Sequence, residues 1–72
     1  MIGKYEVNIE ELDNDGNVWD STAVKHTDDY DEALSFAKGL KVTHRLQQIA
    51  IWTWDDQELN VIDSEIVKTY DK

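Results

Sequence analysis

The feature that most restricts this chain is one change of apolar period. Tyr30, Ala33, Leu34, Ala37 and Leu40 recur at i, i+3, i+4, i+7 and i+10, with Phe36 on the flank of the stripe. That is the pattern of an amphipathic helix, and it predicts one over about residues 28–40. Thr27, Asp28 and Asp29 supply short polar side chains for its start, and acids at 28, 29, 31 and 32 suit the positive end of its dipole. Gly39 stands near the stop, with Lys38 and Lys41 around the negative end. This is the most secure element of the 72-residue chain.

The flanking segments read as strands. Tyr5, Val7 and Ile9 alternate with Glu6, Asn8 and Glu10 between Lys4 and Leu12, and Leu12 breaks the parity, as at a bulge or the end of regular pairing. Asp15-Gly16 inside Asp13–Asn17 marks a hairpin turn, because glycine accepts a positive φ without steric cost. A second strand follows from about Val18 to Lys25, with its phase open: Val18, Thr22 and Val24 compete with Trp19 and Ala23 for the inner face. After a connector at Val42 to Arg45, Leu46 to Trp54 is rich in Ile and Trp and reads as a third strand. Asp55-Asp56-Gln57 makes a turn. Leu59 to Tyr70 reads as a last strand with an irregularity near Ser64, a short helix being the competing assignment. The order ββαββ predicts an α+β fold: a mostly antiparallel four-stranded sheet with the helix on one face, in a single domain over residues 1–72.

Composition excludes several chemistries. The chain has no Cys, hence no disulfides, thiolate zinc sites or cysteine nucleophiles, and it has no Pro. The N-terminal segment turns acidic too early for a signal peptide. No apolar run approaches the roughly 18 residues that cross a membrane, so a cytoplasmic protein is expected. Three Trp, three Tyr and one Phe can anchor a small core, and a monomer or a homodimer is compatible with them. The formal net charge of −9, with a single Arg, argues against direct binding to nucleic acid.

The charge is unevenly spread. Residues 1–36 carry ten acids and two bases, a net of −8, whereas residues 37–72 carry six acids and five bases. The expectation is a negative pole at the first hairpin and the helix start, and a weakly basic pole at Lys38, Lys41 and Arg45. On an outward strand face, acids at i and i+2 are about 6.6–6.8 Å apart. Two steps along one DNA strand advance by about the same distance, with one phosphate per roughly 3.4 Å. Glu6, Glu10, Glu11, Asp13, Asp15, Asp20, Asp28, Asp29, Asp31 and Glu32 are therefore candidate partner-binding acids, offering a basic partner a phosphate-like array. The plainer alternative is that they keep a small domain in solution and complement a helix dipole.

Trp52 and Trp54 project from one strand face with Ala50, and Ile49 and Ile51 from the other. If the isoleucines meet the helix, the tryptophans form an exposed platform for a partner; in the reverse phase they are core. Trp19 carries the same ambiguity. No catalytic set stands out. The serines at 21, 35 and 64 lack a nucleophile context, and Asp55-Asp56 lies in a turn. His26 and His44 lack zinc-site spacing. A calcium-loop register through Gly16 puts Thr22 where a bidentate Glu is required. No metal or other cofactor is expected.

In length, acidity, lack of Cys and Pro, and ββαββ layout, the chain resembles the small acidic proteins of phages and mobile elements, among them anti-restriction DNA mimics and anti-CRISPR inhibitors. The resemblance covers the whole chain as composition and layout, and no functional residue carries over from it. It implies a stoichiometric inhibitor in a bacterial host cell, docking on the basic groove of a nucleic-acid-handling complex. The expectation is thus a non-enzymatic acidic protein-binding module whose partner is a basic nucleic-acid-binding protein or nuclease complex. The alternative is a structural or oligomerising protein that uses a Trp-bearing sheet face or a strand edge.

Overall fold

The computed structural model describes residues 3–71. Strands β1 (Tyr5–Leu12) and β2 (Val18–Thr27) are followed by helix α1 (Tyr30–Gly39), then by β3 (Gln47–Trp54) and β4 (Val61–Thr69). The four strands form one antiparallel sheet in the order β2-β1-β3-β4. The fold is α+β, and the last segment is strand rather than helix.

The first hairpin closes as its sequence demands. Asp13 Oδ1 accepts from the backbone N–H groups of Asp15 and Asn17, each at 2.9 Å, and Gly16 adopts φ +86°. A residue with a side chain there would strain the turn, because a Cβ disfavours left-handed backbone. Helix α1 begins two residues later than its acids suggest, because Asp29 is the cap: its Oδ1 accepts from Asp31 N and Glu32 N. At the other end, Lys68 Nζ donates to the carbonyls of Lys38 and Leu40, at 3.1 and 2.6 Å. A cation from β4 thus satisfies orphan carbonyls at the negative helix terminus.

α1 lies across one face of the sheet. Ala33 and Ala37 meet Val7, Ile49, Ile51 and Val42, all buried, with Tyr5, Ile9, Tyr30, Leu34, Leu40 and Val67 packed around them. Small alanines on the helix let its backbone approach the sheet closely, so a ten-residue helix covers the branched side chains of the two central strands. The rings of Tyr5 and Tyr30 meet edge to face with centroids 5.4 Å apart.

The register explains the open phase of the second strand. The β1–β2 pairing shifts between Val7 and Asn8 and again between Glu11 and Leu12, so β2 contains two extra residues and no single alternation describes it. The break at Leu12 was foreseen. The irregularity expected near Ser64 is present on either side of it: the β3–β4 register shifts leave Ile62 and Val67 as extra residues of β4, while Ser64 itself pairs with Trp52.

Candidate functional site

The strand alternation that puts Val7, Ile49 and Ile51 under α1 turns Glu6, Asn8, Glu10, Gln48, Trp52 and Trp54 to the opposite, helix-free face. Trp52 and Trp54 therefore belong to the bare face and not to the core under the helix; each is half-buried there. Glu6 pairs in register with Trp52 and His26, Asn8 with Ala50 and Ala23, and Glu10 with Gln48 and Ser21.

Among the described residues no element covers this face, yet its central polar residues are buried. Glu6 is 6% exposed, Asn8 1% and Glu10 5%. Each carboxylate is satisfied by neighbouring side chains, Glu6 by one on its own strand and one on β2, and Glu10 by two on β3. Glu6 accepts from Asn8 Nδ2 at 2.8 Å, and its other oxygen lies 2.6 Å from His26 Nε2. Glu10 accepts from Gln48 Nε2 at 2.8 Å and from the indole N–H of Trp52 at 2.9 Å. Hydrogen bonding of this kind is what lets a carboxylate sit away from water. Trp54 differs: its Nε1 is buried and has no acceptor.

A pocket of about 260 Å³ opens beside Glu10, lined by Glu10, Val18, Trp52, Val61 and Ser64. Val18 lies on edge strand β2 and Val61 on edge strand β4, so the helix-free face is cupped across the sheet. Val18, Val61 and Ile66 leave much apolar surface exposed there, whereas Trp19, an extra residue at a β2 bulge, is 67% exposed without lining the pocket.

The candidate acids divide into groups. Glu6 and Glu10 are buried on the bare face. Glu11 and Asp20 pair in register on the other face, and Glu11 accepts from Gln47 Nε2 and lies 3.5 Å from His44 Nε2. Asp13 and Asp15 occupy the β1–β2 turn, which sits beside the connector after α1: Leu12 N donates to Leu46 O at 2.8 Å. Asp28, Asp29, Asp31 and Glu32 lie at the far end, where Lys4 N donates to Asp28 Oδ1 and Trp54 N to Lys4 O. The hairpin turn and the helix start are therefore at opposite ends of the sheet, and the expected single negative pole in the first half is corrected. The turn faces the weakly basic end instead.

The acids that do join Asp28–Glu32 come from the second half of the chain. The β3–β4 turn carries Asp55, Asp56 and Glu58 to that end, and the start of β4 adds Asp63 and Glu65. The bases there, among the described residues, are Lys4 and Lys25, and Lys25 Nζ is held 3.6 Å from Glu32. The Leu59 backbone N–H, donating at 2.9 Å, holds the Asp55 carboxyl below its ordinary pKa, and Asn60 adds to the effect. Tyr30 donates to Glu65, which holds its phenol above the ordinary value. Charge along the chain could not reveal this end; it follows from the ββαββ order, in which the helix returns the chain so that the two hairpin turns point in opposite directions.

Among the described residues no group of three or more His, Asp or Glu is arranged to hold a metal ion, and no helix is long and apolar enough to cross a membrane. No family model, no curated protein and no solved structure matches the chain.

Proposed function

We infer that the protein is a non-enzymatic acidic binding module that docks on the basic, nucleic-acid-facing surface of a protein or nuclease complex and blocks it stoichiometrically. The observation that carries this reading is the gathering of Asp28, Asp29, Asp31 and Glu32 with the acids of residues 55–65 at one end of the sheet. Such a concentration costs self-repulsion in the folded state and raises the association rate with a positive surface. Several of these carboxylates also have structural duties, since Asp29 caps the helix and Asp55 ties its turn. Asp31, Asp56 and Asp63 are exposed and are free of such roles in the hydrogen-bond pattern.

The test reverses those three. Asp31→Lys, Asp56→Lys and Asp63→Lys together should leave the fold intact but slow association with the captured partner and flatten its salt dependence. The wild-type protein should also compete with duplex DNA or RNA for that partner. Equal association rates for wild type and the triple variant at low salt would sink the reading.

A second reading has its own observation. Val18, Val61 and Ile66 are exposed on the face that carries Trp52 and Trp54, and among the described strands β2 and β4 are the sheet edges. An oligomerising protein would bury this surface against a second copy. Sedimentation over a range of concentrations separates the two readings, since only the second requires self-association.

A further inference from the structure

We propose that the pocket on the helix-free face is a receptor for an arginine side chain of the protein partner, with Glu10 as its counter-ion and Trp52 as its wall. The inference rests on the reading that the partner is basic, and it names the residue-level anchor that the acidic end alone does not supply.

Three observations carry it. The pocket of about 260 Å³ is walled by Val18, Trp52 and Val61 and opens on a face that no element among the described residues covers. Glu10 reaches into it while being only 5% exposed. Both hydrogen bonds to that carboxylate, from Gln48 and Trp52, come from neutral groups. Glu6 and Glu11 each have a histidine within 3.5 Å, but Glu10 has no cationic neighbour among the described residues. A buried anion held only by neutral donors is undercompensated, and a carboxylate accepts about four hydrogen bonds, so capacity remains.

A guanidinium matches what is missing. It brings the opposite charge, two parallel donors for a carboxylate, and a weakly hydrated plane that packs on indole at low desolvation cost. The aliphatic stem of the same side chain suits the valine walls. Ser64, opposite Trp52 in the register, adds a hydroxyl on the pocket's rim for one of the outer N–H groups.

The probe is N-acetyl-arginine N-methylamide, with the citrulline analogue as its neutral isostere, followed by proton–nitrogen NMR of the intact protein. Arginine should shift the Trp52 indole N–H and the Gln48 side-chain amide saturably, and citrulline should bind about tenfold more weakly, for want of the charge. Glu10→Gln should lose the same factor. Should Glu10→Gln disturb the fold, Val61→Trp, which fills the pocket and leaves Glu10 in place, should abolish the shifts. Equal binding of citrulline and arginine overturns the proposal, as does an arginine response that survives Val61→Trp. Shifts confined to the amides of residues 28–32 and 55–58 overturn it too, while leaving the acidic-end reading standing. Conversely, the Asp31, Asp56 and Asp63 reversals should not change the Trp52 response, so the two ideas fail separately.

Discussion

Under α1, the central strands β1 and β3 present Val7, Ile9, Ile49 and Ile51; on the reverse, the same two strands present Glu6, Asn8, Glu10 and Gln48. Both sets are largely withdrawn from water, but by different means. The aliphatic set is covered by a helix and held by burial, which has no direction. Among the described residues the polar set is covered only by the side chains around it, and every carboxylate oxygen there has a partner at 2.6–2.9 Å. The contrast shows that position in the middle of a sheet can withdraw a glutamate from water. Its flanking partners then decide whether that is tolerable.

The largest expected effect tests the covered face. Ile51→Ala empties a site that is 1% exposed, and urea denaturation should show a loss of about 2–5 kcal/mol. A smaller loss would mean that the helix-covered layer is not the main source of stability. Next comes a pair of substitutions on the bare face. Trp52→Phe removes the indole donor to Glu10, whereas Trp54→Phe removes an N–H that has no acceptor. Ring area is lost in both, so the first should cost more by about 1 kcal/mol, the size of one hydrogen bond. Equal costs would break the argument that the polar face is held by directional bonds.

The smallest effect concerns pH. Tyr30 ties α1 to β4 by donating to Glu65, and its phenol is held above the ordinary value of 10.0. A raised folded-state pKa stabilises the fold fully below the unfolded value, and the contribution is lost as pH rises through the folded one. Alkaline titration followed by circular dichroism should thus show a destabilising arm above pH 10.0 that is absent in Tyr30→Phe. Asp55 behaves in the opposite sense. Its pKa is lowered from 3.8, so the stability of its turn is present above that value and lost as pH falls through the folded-state pKa. The bonds around Trp52 should not follow the alkaline arm, which keeps the two faces distinguishable.

Much of the architecture was legible before the structure. The helix expected over 28–40 spans Tyr30–Gly39, and the four strands fall where alternation and turn residues put them. The phase of β2 was not legible, since two register shifts within ten residues destroy the period on which such reading depends. The pairing of Ile49 and Ile51 on one face and Trp52 and Trp54 on the other was evident, but alternation is symmetric and cannot say which face the helix takes. Gln48 and His26 carry no local signal as site residues, because their importance arises from cross-strand neighbours more than 15 positions away. His26 and Glu6, for example, are 20 apart.

Local patterning was enough to specify one helix, four strands and their order, because periodicity and turn chemistry act over a few neighbouring residues. Which acids stand together, and which are buried, was decided only when the chain folded back on itself. The helix carries the chain the length of the sheet, separating Asp13 and Asp15 from Asp28–Glu32 and bringing residues 55–65 alongside the latter. Electrostatic grouping depends on distances through space, and those are properties of the topology.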